Sequence, residues 1–355
     1  MTLIRPDIII PVYKPKEAFR RQLLMLSRQT LLPKRLILIN TEESLLSDEM
    51  KSFIRELDSD EASGLFGCIE LKHIKKSEFD HAATRSYGIS LGRSPVFICM
   101  TDDAVPCDER LIERLCEGIL ERKGPKGEPM AMAYARQLPR EDCGMAEAYT
   151  RGFNYPETPL IKTKADIERL GIKAFFASNV CCAYQRKIFE ELGGFIGRAI
   201  FNEDMIYAHK ALMEGYGISY EAEAKVLHSH DLSAMEQLHR NFDLGMSQSM
   251  NKEVFDGIRS EGEGIRLVLS TARYLLSKGK LLSVIRLFWN SGFRYLGYLL
   301  GRHYETLPKK AVSWLCSNKT FVKRMYEDRE TAGKTKDLSK ADEPDDKDKD
   351  RGELL

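Results

Sequence analysis

The sequence predicts an α/β protein in which a mainly parallel sheet is flanked by helices. Short apolar runs that are rich in β-branched residues, such as residues 7–12 and 96–100, have the length and composition of buried strands. Stretches with the apolar spacing of a helix lie between these runs. Strands and helices that alternate in this way form parallel sheets with right-handed crossovers. After residue 262 the composition becomes basic and amphipathic, which predicts further helices beyond the sheet.

The first part of the chain supplies four strands and four helices in alternation. Residues 13–15 break the first strand with a proline, and Ser47 can cap the second helix because its hydroxyl accepts a hydrogen bond from a free backbone amide. The predicted strands are residues 7–12, 35–40, 68–74 and 96–100, and the predicted helices are residues 17–29, 47–57, 80–91 and 108–121.

The second part of the chain has a less regular pattern. A pair of glycines, Gly193 and Gly194, supplies a helix stop. The predicted elements are a strand at 130–135, an irregular segment at 136–156, two short extended pieces within 171–184, a helix at 186–192, a helix that opens at 202–204 and runs to 213, strands at 216–221 and 224–227, and a polar helix at 233–249.

Composition excludes several classes of protein. With 54 basic and 53 acidic residues among 355, the charges nearly cancel, so the net charge gives no information about the kind of partner. The eight cysteines include no CxxC pair, so reduced thiols of a cytoplasmic protein are expected instead of a disulfide framework. The N-terminus lacks a signal-peptide pattern, and no apolar run of about 18 residues predicts a transmembrane helix.

Two carboxylates follow the apolar strand at 96–100. Asp102 and Asp103 lie where open α/β sheets bind ligands, at the carboxyl end of a strand. They indicate either a divalent cation with a phosphate-bearing substrate or a solvated turn before a helix that Asp108 and Glu109 could cap. Since the chain has neither a GxGxxG turn nor a GxxxxGK[ST] loop, a nucleotide ligand would need a metal.

Two further polar clusters occur near the ends of later elements. Glu203 and Asp204 open a helix, where they could simply favour the helix dipole or could supply a general base. His228 and His230 flank a serine at a strand end. They are either a surface pair or ligands that complete a metal site, because imidazole binds Mn²⁺ as well as Zn²⁺.

The segment from Arg266 to Arg324 is basic and rich in apolar and aromatic residues. It contains twelve Lys or Arg residues and one acidic residue, Glu305. Basic amphipathic helices of this composition are typical of segments that bind an anionic membrane surface. A helical cap on the preceding domain is the alternative, and nucleic acid is not expected as a partner. The charged, apolar-poor segment that follows is expected to be disordered.

With these motifs collected, the chain resembles the family-2 glycosyltransferases of GT-A fold, and among them bacterial rhamnosyltransferases. The resemblance covers roughly residues 6–242. It implies a GT-A domain at 1–250, and we expect a basic helical region at 251–326 and a disordered charged tail at 327–355. The motifs are IIIPVYKP, EFDHAATRSYG, TDDAVP, ARQLPRED, RGFNYP, ELGGF, NED and VLHSH, in this order.

The resemblance also implies roles for individual residues. Asp204 would be the general base and Asp103 the metal-binding carboxylate. His228 or His230, the candidate metal-binding histidines, would approach the metal or the diphosphate. Thr101 replaces the first aspartate of the family's usual D-x-D motif, so metal binding depends mainly on Asp103. The candidate substrate-binding residues are Pro11, Val12 and Tyr13 at the nucleotide base, Arg85 near the diphosphate, Asp102 on the nucleotide side, and Asn40, Arg136, Asn179 and Glu203.

The expected activity is transfer of a sugar with inversion, with Mn²⁺ or Mg²⁺ on the leaving diphosphate. The resemblance implies dTDP-L-rhamnose as donor and a cell-surface polysaccharide or lipid-linked glycan as acceptor, at the cytoplasmic face of the membrane. The alternatives are a UDP-hexose donor, a nucleotidyltransferase and a non-enzymatic scaffold at the membrane surface. The turn after the first strand, YKPKEAF, lacks the glycine-rich loop typical of nucleotidyltransferases.

Overall fold

A nine-stranded sheet organises the first 230 or so residues. The structure is a computed structural model that describes residues 4–258 and 261–341. The strands are β1 (Asp7–Val12), β2 (Arg35–Thr41), β3 (Ile69–Ile74), β4 (Val96–Met100), β5 (Val105–Pro106), β6 (Met130–Leu138), β7 (Leu160–Lys162), β8 (Cys181–Gln185) and β9 (Gly217–Leu227).

Helices cover both faces of the sheet and follow it at the C-terminus. The α-helices are α1 (Glu17–Leu26), α2 (Asp48–Ser59), α3 (His81–Leu91), α4 (Leu111–Leu120), α5 (Met145–Asn154), α6 (Ile167–Leu170), α7 (Arg186–Glu191), α8 (Glu203–Met213), α9 (Ala234–Met250), α10 (Lys252–Phe255), α11 (Glu261–Ser277), α12 (Leu281–Arg302), α13 (Lys309–Leu315) and α14 (Lys319–Ala341).

The sheet is parallel in its first half and mixed in its second. Its order is β3-β2-β1-β4-β8-β6-β9-β5, and β7 also pairs with β9. Strands β1 to β4 are parallel to their neighbours in this series, as the alternation of strands and helices predicts. Strand β8 is antiparallel to both β4 and β6, while β6 and β9 are parallel. The predicted α/β class is confirmed, and the sheet is mixed because β8, β5 and β7 run antiparallel to their neighbours.

Two apolar layers hold the helices against the sheet. Because successive side chains of a strand point to opposite faces, Ile8 and Ile10 pack with residues of α1, α2 and α4, whereas Ile9 packs with residues of α3, α7 and α8. All three isoleucines are fully buried. Strands buried on both faces account for the uninterrupted apolar runs in the sequence.

Three segments of the second half differ from the sequence-based expectation. The segment 136–156, expected to be irregular, contains helix α5. The segment 171–184 contains a 3₁₀ turn followed by β8, and not two extended pieces. The two strands expected at 216–221 and 224–227 are one strand, β9, because a bulge opposite Ala135 and Arg136 accommodates the extra residues.

Helix α9 packs along α12 through glycines. Gly245 of α9 faces the backbone of α12, and Gly297 and Gly301 of α12 face the backbone of α9. A side chain at any of these positions would collide with backbone atoms of the other helix, so glycine permits an approach that no other residue allows. Helix α9 lies within the predicted catalytic domain at 1–250, and the helical region at 251–326 is thereby joined to it.

A second face of α12 is apolar and exposed. Leu282, Ile285, Trp289 and Leu296 recur at helical spacing along it, and Leu282 and Trp289 are 83% and 63% exposed. No helix among the described residues is long and apolar enough to cross a membrane.

The end of the chain differs in part from the prediction of a disordered tail. Helix α14 continues to Ala341, so residues 327–341 are helical. Propensity and local charge pairing permit a helix in such a polar segment even where it buries little apolar surface. The rest of the predicted tail, residues 342–355, lies outside the described residues.

Candidate active site

Loops at the carboxyl ends of β1, β4 and β9 meet at one edge of the sheet. The backbone amide of Tyr13, just after β1, donates to Oδ2 of Asp102, just after β4, over 3.0 Å. Asp103 follows, and His228 comes directly after β9. Burial raises the pKa of Asp102 to about 6, although the Tyr13 amide favours the carboxylate. The polar residues predicted to follow these strands therefore come together at the carboxyl ends of the strands, as the sequence predicts.

Asp103, His228 and His230 form a compact group that could hold a metal ion. Their donor atoms all lie within 4.8 Å of one another. Nε2 of His228 is 3.4 Å from Oδ1 of Asp103, Nε2 of His230 is 3.2 Å from Oδ2, and the two Nε2 atoms are 3.1 Å apart. Burial lowers the pKa of His228 to about 3 and also lowers that of His230, so both rings are neutral at neutral pH. Neutral imidazole is the form that binds a metal.

Gln137 orients the His228 ring. Its Oε1 lies 3.0 Å from Nδ1 of His228 and also accepts a hydrogen bond from Arg151, while its Nε2 donates to Ser178 Oγ over 3.0 Å. Because an amide oxygen only accepts, the proton of His228 lies on Nδ1 and the lone pair of Nε2 faces Asp103. Partners of this kind fix metal-binding histidines. Gln137 lies in the ARQLPRED motif, but no local sequence pattern marks it as a partner of His228.

Asp204 lies in the first turn of α8 and is held by two backbone amides. Asn179 N donates to its Oδ2 over 2.9 Å, and Met205 N donates to its Oδ1 over 2.8 Å. Burial, and to a lesser extent the neighbouring charge of Glu203, raises the pKa of Asp204 to about 7, in opposition to the two amides. A carboxyl with a pKa near neutrality is suited to accept a proton from a substrate.

Glu203 is instead part of a buried ion pair. Arg85 Nη1 lies 2.9 Å from Glu203 Oε1, and Asn179 Nδ2 donates to the same oxygen over 3.0 Å. Asn179 in turn accepts a hydrogen bond from the hydroxyl of Tyr184 over 2.6 Å. Burial alone would raise the pKa of Glu203, but Arg85, His81 and the Asn179 amide together outweigh it, and the pKa lies below its usual range. Arg85 is 5% exposed, so its charge faces Glu203 and not the open cleft.

The group of Asp103, His228 and His230 is connected to Asp204 by a series of contacts. His228 contacts Gln137, Gln137 contacts Ser178, and the amide of the next residue, Asn179, binds Asp204. Residues from β6, β8 and their loops thus place the two acidic sites in one neighbourhood.

A cleft of about 600 Å³ opens on the β1 side of this edge. Tyr13 and Lys14 form one wall, and Asp102, Asp103 and His230 lie at its base. Tyr13 is 41% exposed, and Lys14 adopts a left-handed backbone conformation that turns the chain over the cleft. The volume is that of a typical small-molecule site.

The remaining candidate residues lie deeper or farther along the same edge. Pro11 is half-buried and Val12 is buried in β1. Asn40, at the end of β2, is fully buried and donates to the Glu42 carbonyl. Arg136 of β6 forms an ion pair with Glu157 over 3.1 Å. These four residues are not in the set of side chains that line the cleft.

Comparison with known proteins agrees with this architecture. The profile of the family described as glycosyl transferase family 2 matches residues 7–193. The chain is 32% identical to the O-antigen chain rhamnosyltransferase RfbN of Salmonella typhimurium over 319 residues, which are 88% of this chain and 95% of RfbN. It is 34% identical to the O-antigen chain rhamnosyltransferase WbaN of Salmonella anatum, over 70% of this chain and 77% of WbaN.

A solved structure supports the fold independently. The mannosyltransferase PcManGT from Pyrobaculum calidifontis, in complex with GDP-Man and Mn²⁺, superposes with a TM-score of 0.54 at 13% identity, over 86% of this chain and 88% of that one. At this identity the likeness shows the fold alone. The family match and the two relatives show that this chain belongs to glycosyl transferase family 2 and is a glycosyltransferase.

Proposed function

We propose that the protein transfers L-rhamnose from dTDP-L-rhamnose to a glycan acceptor of the bacterial cell surface, with inversion at the anomeric carbon. The observation that carries the proposal is the placement of two separate acidic sites, Asp103 with its histidines and Asp204, at one sheet edge. Both curated relatives are named O-antigen chain rhamnosyltransferases, which supports rhamnose as the sugar and an O-antigen glycan as the acceptor.

The donor set of Asp103, His228 and His230 fits Mn²⁺ better than Mg²⁺. Imidazole nitrogen suits first-row transition metals, whereas Mg²⁺ prefers oxygen ligands throughout. A bound divalent ion would stabilise the negative charge that develops on the leaving diphosphate. The protein's own contribution is to keep both imidazoles neutral by burial and to aim Nε2 of His228 through Gln137.

Asp204 is the proposed general base. An acceptor hydroxyl is a weak nucleophile and must lose its proton as it attacks the anomeric carbon. The two backbone amides fix the carboxylate, and its pKa of about 7 lets it hold the proton that it receives. Attack from the face opposite the diphosphate inverts the anomeric centre, which requires that the base and the ligands of the diphosphate be separate groups. This protein provides them as separate groups.

Arg85 and Glu203 support Asp204 in this proposal. Their buried ion pair joins α3 to the first turn of α8, where Asp204 lies. Glu203 keeps its charge because of Arg85, and that charge raises the pKa of Asp204. The diphosphate contact that the sequence resemblance implies for Arg85 would require this pair to open, so we assign Arg85 a positioning role.

We also propose that the exposed face of α12 rests on the anionic cytoplasmic surface of the membrane. Apolar and aromatic side chains project from it, including Leu282, Ile285 and Trp289. Lys278 and Lys280 lie close to them in sequence and would face lipid phosphates. Such a contact would place the enzyme beside lipid-linked acceptors.

The test is a thermal-shift panel with dTDP-L-rhamnose, a UDP-hexose, GDP-mannose and each nucleotide alone, with and without Mn²⁺. We expect dTDP-L-rhamnose to raise the melting temperature most, and only with Mn²⁺, because a ligand of the folded state stabilises it by mass action. Asp103→Ala should abolish the part of this rise in melting temperature that depends on Mn²⁺. A larger shift with a UDP-hexose would identify the UDP-hexose as the donor in place of dTDP-L-rhamnose. If no nucleotide changed the melting temperature, the proposed transferase site would be contradicted.

A further inference from the structure

A second cavity lies on the other side of the candidate metal ligands. It has a volume of about 140 Å³ and is enclosed by α5, α9, α11 and α12. His230 lines both this cavity and the cleft beside Tyr13. Two arginines of α12, Arg286 and Arg294, form part of its wall. The proposed donor site does not use these two arginines.

The wall of this cavity carries two arginines, Arg286 and Arg294, and two acids, Glu147 and Asp231. Arg294 Nε donates to the neutral Gln237 Oε1 over 3.3 Å, and neither Arg286 nor Arg294 forms an ion pair within residues 4–258 and 261–341. The two acids of the wall have other partners. Glu147 pairs with Arg151 over 2.7 Å, and Asp231 accepts a hydrogen bond from the amide of Gly144 over 2.9 Å.

A further guanidinium, that of Arg240, lies close enough to Arg294 to repel it. Arg240 of α9 is reached by solvent but enclosed by protein on most sides, as expected for a side chain in a cleft. Burial lowers the pKa of Arg240, and repulsion from Arg151 and Arg294 adds to this, in opposition to Asp243 and Glu147. Burial also lowers the pKa of Arg294. Cations crowded in this way would gain from a bound anion.

We propose that this cavity binds a phosphate group of the acceptor, with Arg294 and Arg286 as its ligands. Guanidinium groups match the geometry of phosphate oxygens and bind them through charge-assisted hydrogen bonds. The proposal rests on the proposed transferase function, because it requires a donor site on the other side of His230.

The position of the cavity favours the acceptor over the donor as the source of the phosphate. The donor cleft is formed by the loop after β1, whereas this cavity is formed partly by α12. The same helix exposes Leu282 and Trp289 on its surface. A phosphate that joins a glycan to a lipid would lie between such an apolar face and the transfer site.

The test is calorimetric titration of the full chain with geranyl diphosphate, while Mn²⁺ and saturating dTDP occupy the donor site. Arg294→Gln should weaken binding of geranyl diphosphate by about tenfold or more, as expected for loss of a charge-assisted contact, and Arg294→Lys should restore part of it. Arg273→Gln, which removes an exposed arginine of α11 outside the cavity, should leave binding unchanged. Geraniol should bind the parent protein and Arg294→Gln equally.

Three results would overturn the proposal. They are undetectable binding of geranyl diphosphate to the parent protein, binding that is detected only when dTDP is left out, and an equal loss in Arg273→Gln and Arg294→Gln. Binding only without dTDP would place the phosphate in the donor site. Failure of the transferase proposal is a separate result, because dTDP itself would then fail to bind whatever geranyl diphosphate does.

Discussion

The oxygen of Gln137 lies 3.0 Å from Nδ1 of His228, on the side of the ring away from Asp103. Gln137 also binds Ser178, the residue before Asn179, whose amide binds Asp204. The Gln137 side chain thus contacts His228, beside Asp103, and Ser178, the neighbour of the residue that binds Asp204. Its effect on the metal can be separated from its effect on the base by measuring each directly.

Gln137→Leu should weaken Mn²⁺ binding by about 10- to 100-fold, because His228 loses the partner that sets its tautomer and orientation. The measurement is titration with Mn²⁺ followed by electron paramagnetic resonance of the free ion. Gln137→Glu, which keeps an acceptor at the same place, should retain most of the affinity. Equal losses in both variants would show that Gln137 acts through packing alone.

Asp204→Asn should lower kcat by about two or more orders of magnitude while donor affinity is retained, because the amide cannot accept the acceptor proton. In the parent protein kcat should rise with pH through about 7, since the base is the ionised form and its pKa is about 7. The checks are a pH–rate profile and donor titration. Near-normal turnover in the variant would rule out Asp204 as the base.

The same residue should make stability depend on pH. Its folded-state pKa of about 7 lies above the ordinary value of 3.8, so the folded protein holds this proton more tightly than the unfolded chain. The associated stability is complete below about pH 4 and is lost as pH rises through about 7. The melting temperature of the parent protein should therefore fall relative to Asp204→Asn over this window. A constant difference would contradict the raised pKa.

Glu203→Gln should destabilise the protein by about 3–5 kcal/mol, because it leaves the buried Arg85 without its counter-charge. Glu49→Gln is the matched control, since Glu49 also pairs with an arginine but is exposed. That change should cost less than about 1 kcal/mol. Urea unfolding measures both. Similar costs would mean that Arg85 finds another partner in the folded protein.

Gly301→Ala should destabilise the protein by about 1–3 kcal/mol, because a methyl group there meets the backbone of α9. Gly292→Ala lies on the same helix with open space around it and should stabilise by about 0.5–1 kcal/mol through helix propensity. Opposite signs in thermal unfolding are the expected outcome. Equal effects would indicate that α9 and α12 do not pack through glycine.

Leu282→Glu combined with Trp289→Glu should release the protein from anionic liposomes, because two exposed apolar contacts become charged. Phe66→Glu changes a half-exposed aromatic residue outside the helical region and should leave binding unchanged. Co-sedimentation with vesicles of known phosphatidylserine content measures both. Release by Phe66→Glu to the same extent would argue against α12 as the membrane face.

The sequence predicts the residues at the strand ends better than the contacts between elements. Asp103, His228 and His230 are identifiable because each follows an apolar run at the same sheet edge, and the structure brings them together. The ion pair of Arg85 with Glu203 joins helices far apart in the chain, so no local pattern reveals it. The antiparallel direction of β8 is likewise set by tertiary packing, because an apolar run has no direction in sequence.

The glycine contact between α9 and α12 has a consequence for the length of the acceptor. Helix α9 begins shortly after His230, and its backbone touches that of α12 without intervening side chains. If the exposed apolar face of α12 rests on a bilayer, the distance between the transfer site and the lipid phosphates would be constant. The enzyme would then select acceptors by length. It would accept glycans whose ends reach the transfer site and reject those that end nearer to the membrane or farther from it.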